Sequence, residues 1–174
     1  NQLSKFDIKT GSHDDSNQDE RTYFNSLGAT ICEFPTSMET AQYAKNLGNT
    51  IVMGAPNIVR GGSQSGSIAA VDLVKAGLCD ALVSDYYYPA MIGSIWSLQD
   101  NKIMDFAKAW SLISSGPANA LNLKTKGKLE LGYCADFIIV DPASRSIEAT
   151  FCKGKPTYLA GKLANLILNK IDNK

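Results

Sequence analysis

The stretch ATICEFPTSMETAQYAKNLGNTIVMG, residues 29–54, decides the fold. Ala29 to Phe34 is an apolar run of strand length, broken by Pro35. Thr36 or Ser37 then caps a helix that carries Met38, Ala41, Ala44 and Leu47 on one face and stops at Gly48. Thr50 to Met53 opens a second strand. Strand, loop, helix and strand in this order predict a parallel βαβ unit rather than a meander.

The same grammar extends both ways. Upstream, Phe6 to Ser12 reads as a short strand ending at Gly11-Ser12-His13-Asp14-Asp15. Ser16 or Asn17 caps the next helix, Asp19 and Glu20 sit in its first turn where the dipole favours anions, and Gly28 ends it. Downstream, Gly54 to Gly66 reads as a long loop, Ile68 to Ala76 as a helix closing at Gly77, and Ala81 to Ser84 as a strand. Helical material follows from Ala90 to Leu98, Ile103 to Ser114 and Pro117 to Leu121. Short strands are then expected at Gly127–Glu130, Ala135–Val140, Ile147–Cys152 and Thr157–Leu159, separated by Gly and Asp-Pro turns. The expected fold class is α/β: part of a TIM-type β/α barrel over residues 1–123, a small β-sandwich segment over 124–164, and a tail over 165–174.

With 174 residues the chain is too short for a complete eight-unit barrel of about 250 residues. Its 17 basic and 17 acidic residues cancel, which sets aside nucleic acid as a partner. Its longest apolar runs fall far below the roughly 20 residues of a bilayer span, so no membrane segment is expected. Cys32, Cys79, Cys134 and Cys152 contain no C-x-x-C pair and read as buried free thiols of a cytoplasmic protein. The opening Asn1-Gln2-Leu3-Ser4-Lys5 suggests a chain cut from something longer.

In parallel β/α folds chemistry gathers at the carboxyl ends of the strands, and His13, Asp14, Asp15, Glu33, Asn57 to Arg60 and Asp85 all fall at that edge. His13, the single histidine, reads either as a surface or capping residue or, with Asp85, as a ligand of a divalent cation. Two ligands are too few for a hydrolytic site, which needs three or more. Asn57, Arg60, Gly61, Gly62 and Ser63 read either as a phosphate cradle of backbone N–H groups, hydroxyls and a guanidinium fork, or as a flexible surface loop. Glu33 either enters the site or caps the following helix. Tyr86, Tyr87 and Tyr88 read either as pocket lining or, by default, as packing residues of the core rim, and Lys124 to Lys128 as a solvated turn.

Four motifs, Ser12-His13-Asp14-Asp15, Cys32-Glu33-Phe34-Pro35-Thr36, Met53 to Ser63 and Ser84-Asp85-Tyr86, in this order and spacing resemble the phosphonate-metabolism branch of the amidohydrolase superfamily. The closing pattern, Gly132 to Asp141 and Lys153-Gly154-Lys155, is similar to the small β-sandwich of many amidohydrolases. The resemblance implies a zinc or manganese site with His13 and Asp85 as ligands and the remainder supplied from outside this chain. It also implies that Asp85 handles the proton of the attacking water and that the Arg60 loop binds substrate phosphates, with Asp14, Asp15 and Glu33 as further candidates. Gln64 stands where the family pattern has a histidine. The implied reaction removes pyrophosphate from α-D-ribose 1-methylphosphonate 5-triphosphate. Opening of a cyclic amide, or a non-catalytic partial domain, are the competing expectations. The partners expected are a small phosphorylated ribose and a second copy of the chain, paired through open sheet edges.

Overall fold

Caps and breakers punctuate the chain where the β/α pattern needs them. The computed structural model describes residues 6, 8–63 and 66–172. The first strand is β1 (Thr10–His13), later than the Phe6–Ser12 expected, with residue 7 outside the described set. Helix α1 (Gln18–Ser26) follows, capped by Asn17, whose side chain accepts the Glu20 N–H, while the Glu20 carboxylate reaches back to the Ser16 N–H at 2.7 Å. This reciprocal arrangement satisfies two otherwise orphaned donors. Next come β2 (Ala29–Glu33), then α2 (Met38–Asn46) capped by Ser37, then β3 (Thr50–Gly54).

The segment after β3 corrects the sequence reading. Residues 55–60 are not loop but a helix, α3 (Ala55–Arg60), with Pro56 in its first turn and Gly61 beyond its end at φ +79. The following helix, α4 (Ala70–Lys75), starts later than Ile68. Then come β4 (Ala81–Val83), α5 (Ala90–Asp100), α6 (Phe106–Ser111) and α7 (Ser115–Ala120).

The four strands form one parallel sheet in the order β1-β2-β3-β4, with Cys32 opposite Ile51 and Met53 opposite Leu82. Alternation sorts its two faces. Cys32, Ile51, Met53 and Leu82 join the main core with Ala41, Ala44, Leu73 and Ile95 from the helices. A fully buried aliphatic side chain contributes about 1.5–3 kcal/mol. The alternate residues, Ile31, Glu33, Val52 and Val83, line the opposite face. There a cavity of about 360 Å³ is closed in part by Pro117 and Leu121. The α2 face differs from expectation: Met38 and Leu47 lie outside and Thr40 is buried instead.

The chain divides into two compact units, Asn1–Leu123 and Lys124–Lys174. The second holds an antiparallel sheet of β5 (Phe137–Asp141), β6 (Ser146–Cys152) and β7 (Lys155–Leu159), with α8 (Gly161–Asp172) packed on β6. The strand expected at Gly127–Glu130 is bent, irregular backbone, and the tail from residue 165 continues α8. Cys32 and Cys79 are buried, but Cys134 is only half-buried and Cys152 is exposed, because Cys152 ends β6 and Cys134 lies in the segment before β5, both in the second unit rather than in the main core. Among the described residues no helix is long and apolar enough to cross a membrane.

Candidate active site

Three of the four parallel strands end on a residue forced into the left-handed region. Asp14 follows β1 at φ +59, Phe34 follows β2 at φ +55, and Asp85 lies just beyond β4 at φ +50. None is glycine, so each conformation carries a steric cost of about 1–2 kcal/mol. Such outliers persist where surrounding contacts over-determine them, and they cluster at working sites. The contacts here are backbone bonds to the neighbouring strand: the Asp14 N–H donates to Glu33 O at 3.0 Å, and the Phe34 N–H to Val52 O at 2.9 Å.

Around this edge Asp14, Asn57, Arg60, Ser63 and Asp85 line one cavity of about 120 Å³, floored by Phe34, Gly54 and Met53. β1 and β4 supply the two aspartates, and the α3 segment supplies the rest. The Arg60 guanidinium lies over the Tyr86 ring, 5.8 Å from its centroid, which draws one of the three tyrosines to the site rim. Asn57 Oδ1 accepts the Ala70 N–H at 2.9 Å, so this residue also ties α3 to the start of α4.

His13 lies at the border of this cavity rather than inside it. Its ring faces the larger cavity on the open face of the sheet, beside Glu33, with which it is in register. Its Nδ1 is 3.0 Å from Asp14 Oδ2, and its ring meets that of Phe34 edge-on with centroids 5.0 Å apart. Asp14 thus joins the imidazole to the pocket that holds Arg60 and Asp85.

Other candidates are placed elsewhere. The glycine half of the expected phosphate cradle does not form. The Gly61 and Gly62 N–H groups both donate to Asn57 O, at 3.1 and 3.2 Å, closing the end of α3, and so are spent on the helix. Asp15 points away from the edge. It is 1% exposed and paired with the fully buried Arg21 at 2.9 Å. It also accepts from the Ser12 hydroxyl at 2.7 Å and the Cys32 thiol at 3.5 Å. Burial, followed by the Asp15 charge, pushes the Cys32 thiol up to about 12. Arg21 escaped the sequence reading; its signal was a cation in a first strand-helix unit whose β1 turn carries two consecutive carboxylates. Gln64 lies outside the described residues.

Among the described residues no three His, Cys, Asp or Glu side chains gather closely enough to hold a metal ion. His13 and Asp85 therefore do not make the implied zinc or manganese site by themselves. What remains is a strand-end pocket with two exposed carboxylates facing a guanidinium and a hydroxyl, a set able to accept a proton and to hold an anion.

The profile of the Amidohydrolase family matches residues 10–163. The alpha-D-ribose 1-methylphosphonate 5-triphosphate diphosphatase of Escherichia coli (strain K12) is 40% identical over 134 residues, covering 76% of this chain and 35% of that protein. The chain therefore spans about a third of the length of that relative. Two solved structures share the fold. The N-acetylglucosamine-6-phosphate deacetylase of Thermotoga maritima has a TM-score of 0.66 at 12% identity, covering 91% of this chain and 55% of its own. An adenosine deaminase of Xanthomonas campestris, solved with bound zinc, has a TM-score of 0.65 at 14% identity, covering 98% and 51%.

Proposed function

Since the chain belongs to the amidohydrolase family, we propose that it is part of a phosphonate-metabolism hydrolase that converts α-D-ribose 1-methylphosphonate 5-triphosphate to the 5-phosphate and pyrophosphate. The observation that carries this reading is the 40% identity over 134 residues to the diphosphatase. The pocket supports it. Water attacks the α-phosphorus, Asp85 takes the proton, and the bond from that phosphorus to the bridging oxygen breaks. Arg60, with the Ser63 hydroxyl, holds the charge that builds on the departing pyrophosphate. Asn57 keeps α3 in place through its bond to Ala70. With fewer than three clustered cation donors among its described residues, the chain is expected to be inactive alone.

The test is a pyrophosphate-release assay with a divalent cation, run on the chain alone and on the chain supplied with the part of the E. coli relative that it does not cover. Release in the second sample, lost on Asp85→Asn, is the expected result. Turnover of a cyclic amide without pyrophosphate release would overturn the reading.

A further inference from the structure

Residues 12–15 are buried at both ends and exposed in the middle. Ser12 and Asp15 are 7% and 1% exposed, whereas the side chains of His13 and Asp14 between them are 54% and 64% exposed. One guanidinium grips both buried ends. Arg21 Nη1 donates to Ser12 Oγ at 2.7 Å and to Asp15 Oδ2 at 2.9 Å, while its Nη2 donates to the β2 carbonyl of Ala29 at 2.5 Å. The turn is held from outside as well: Asp15 O accepts the Thr36 N–H at 3.1 Å, and Thr36 O accepts the Ile68 N–H at 3.0 Å. The strand ends of β1 and β2 and the approach to α4 are thereby linked in series.

Stability is a weak explanation for this pair. Desolvating two charges offsets most of their attraction, and buried ion pairs are often replaceable by apolar residues at no cost. Here Asp15 Oδ1 and Arg21 Nε are buried without a hydrogen-bond partner, so the desolvation is incompletely repaid. What the pair does supply is direction: a planar fork with fixed donor angles specifies where each end of the turn must lie.

We infer that Arg21 is a positioning residue, which with Asp15 clamps the Ser12–Asp15 turn so that Asp14 is presented to the strand-end pocket and His13, beside it, to the larger cavity on the open face of the sheet, each in one orientation. The inference does not rest on which reaction the pocket performs.

Because His13 is the only histidine, its imidazole gives a single set of NMR signals. The full chain is compared with Arg21→Met/Asp15→Leu, which removes both charges together, and with Arg21→Lys, which keeps the charge and loses the fork. Three readouts are taken: thermal stability, exchange of the Asp14 amide, and the imidazole nitrogen shifts that report whether Nδ1 carries the hydrogen bonded to Asp14. In the parent chain the expected result is a hydrogen on Nδ1, facing Asp14 Oδ2 at 3.0 Å, and an Asp14 amide, bonded to Glu33 O at 3.0 Å, as protected as strand amides. The double variant is expected to melt close to the parent, to exchange Asp14 at least roughly tenfold faster, and to lose the Nδ1–H preference. Arg21→Lys is expected to fall between. A folded double variant with unchanged Asp14 exchange and imidazole shifts overturns the inference. So does failure of both variants to fold, which would assign the pair to stability. Loop-like exchange of Asp14 in the parent chain would overturn it without any variant.

Discussion

Seven described residues other than glycine adopt positive φ, and they divide by what holds them. Lys102 stands at φ +55 just past the end of α5, exposed, where a glycine would serve as the usual terminator. Lys102→Gly is expected to raise stability by about 0.5–1 kcal/mol, the relief of left-handed strain less the entropy glycine costs, as read by urea unfolding. Asp14, Phe34 and Asp85 are different, because their side chains face the pocket. The thiols also divide. Alkylation of the native chain should modify Cys134 and Cys152 and spare Cys32 and Cys79, with all four reacting in denaturant, as mass spectrometry would show. Burial pushes the Cys32 and Cys79 thiols from 9.0 to about 12, so the folded state keeps protons that the unfolded state loses. Their contribution to stability is complete below pH 9.0 and drains as pH rises toward about 12. In Cys32→Ala/Cys79→Ala the alkaline fall in the urea midpoint should be shallower.

At the scale of elements, the junction between α7 and the start of β4 leaves no room for a side chain at Gly116. A Cβ on Gly116 would lie 2.2 Å from the Asp80 carbonyl oxygen and 2.9 Å from that of Ser111. Asp80 cannot yield, since its carboxylate accepts the Ile51 N–H at 2.9 Å and pairs with Lys45. Gly116→Ala should therefore cost about 1–3 kcal/mol, measured as a lowered melting temperature. Elements with local signals were legible in the sequence: Asn17 and Ser37, each one of two candidates expected at its position, cap α1 and α2. The α3 segment was not, because glycine and serine after residue 60 made the whole stretch resemble a loop, and the helical signal, Pro56 near the start and Gly61 after the end, spans only six residues. The same mistake produced the glycine cradle. Asp15 was misread for another reason: adjacency to His13 says nothing of the inward turn that Arg21 imposes.

At the scale of the whole molecule, the parallel order of the first unit followed from the repeated strand-helix pattern, and the strand-end position of the candidates followed from that order. The partition between two cavities did not, because it depends on which side of the sheet each terminal residue faces. Among the described strands β1 and β4 each have one ladder partner, leaving two unpaired edges in the four-stranded sheet. Light scattering should show apparent mass rising with concentration, and a constant monomer mass would count against pairing through those edges.

The left-handed termini of β1, β2 and β4 also bear on how such a chain can change over generations. Substitutions that relax these backbones to glycine would harden the fold while erasing the carboxylates and the ring that face the pocket, a conflict of the kind that separates durability from turnover. Lineages drifting toward sturdiness at this rim would therefore become less capable, and recovery of capability would require re-acquiring strain.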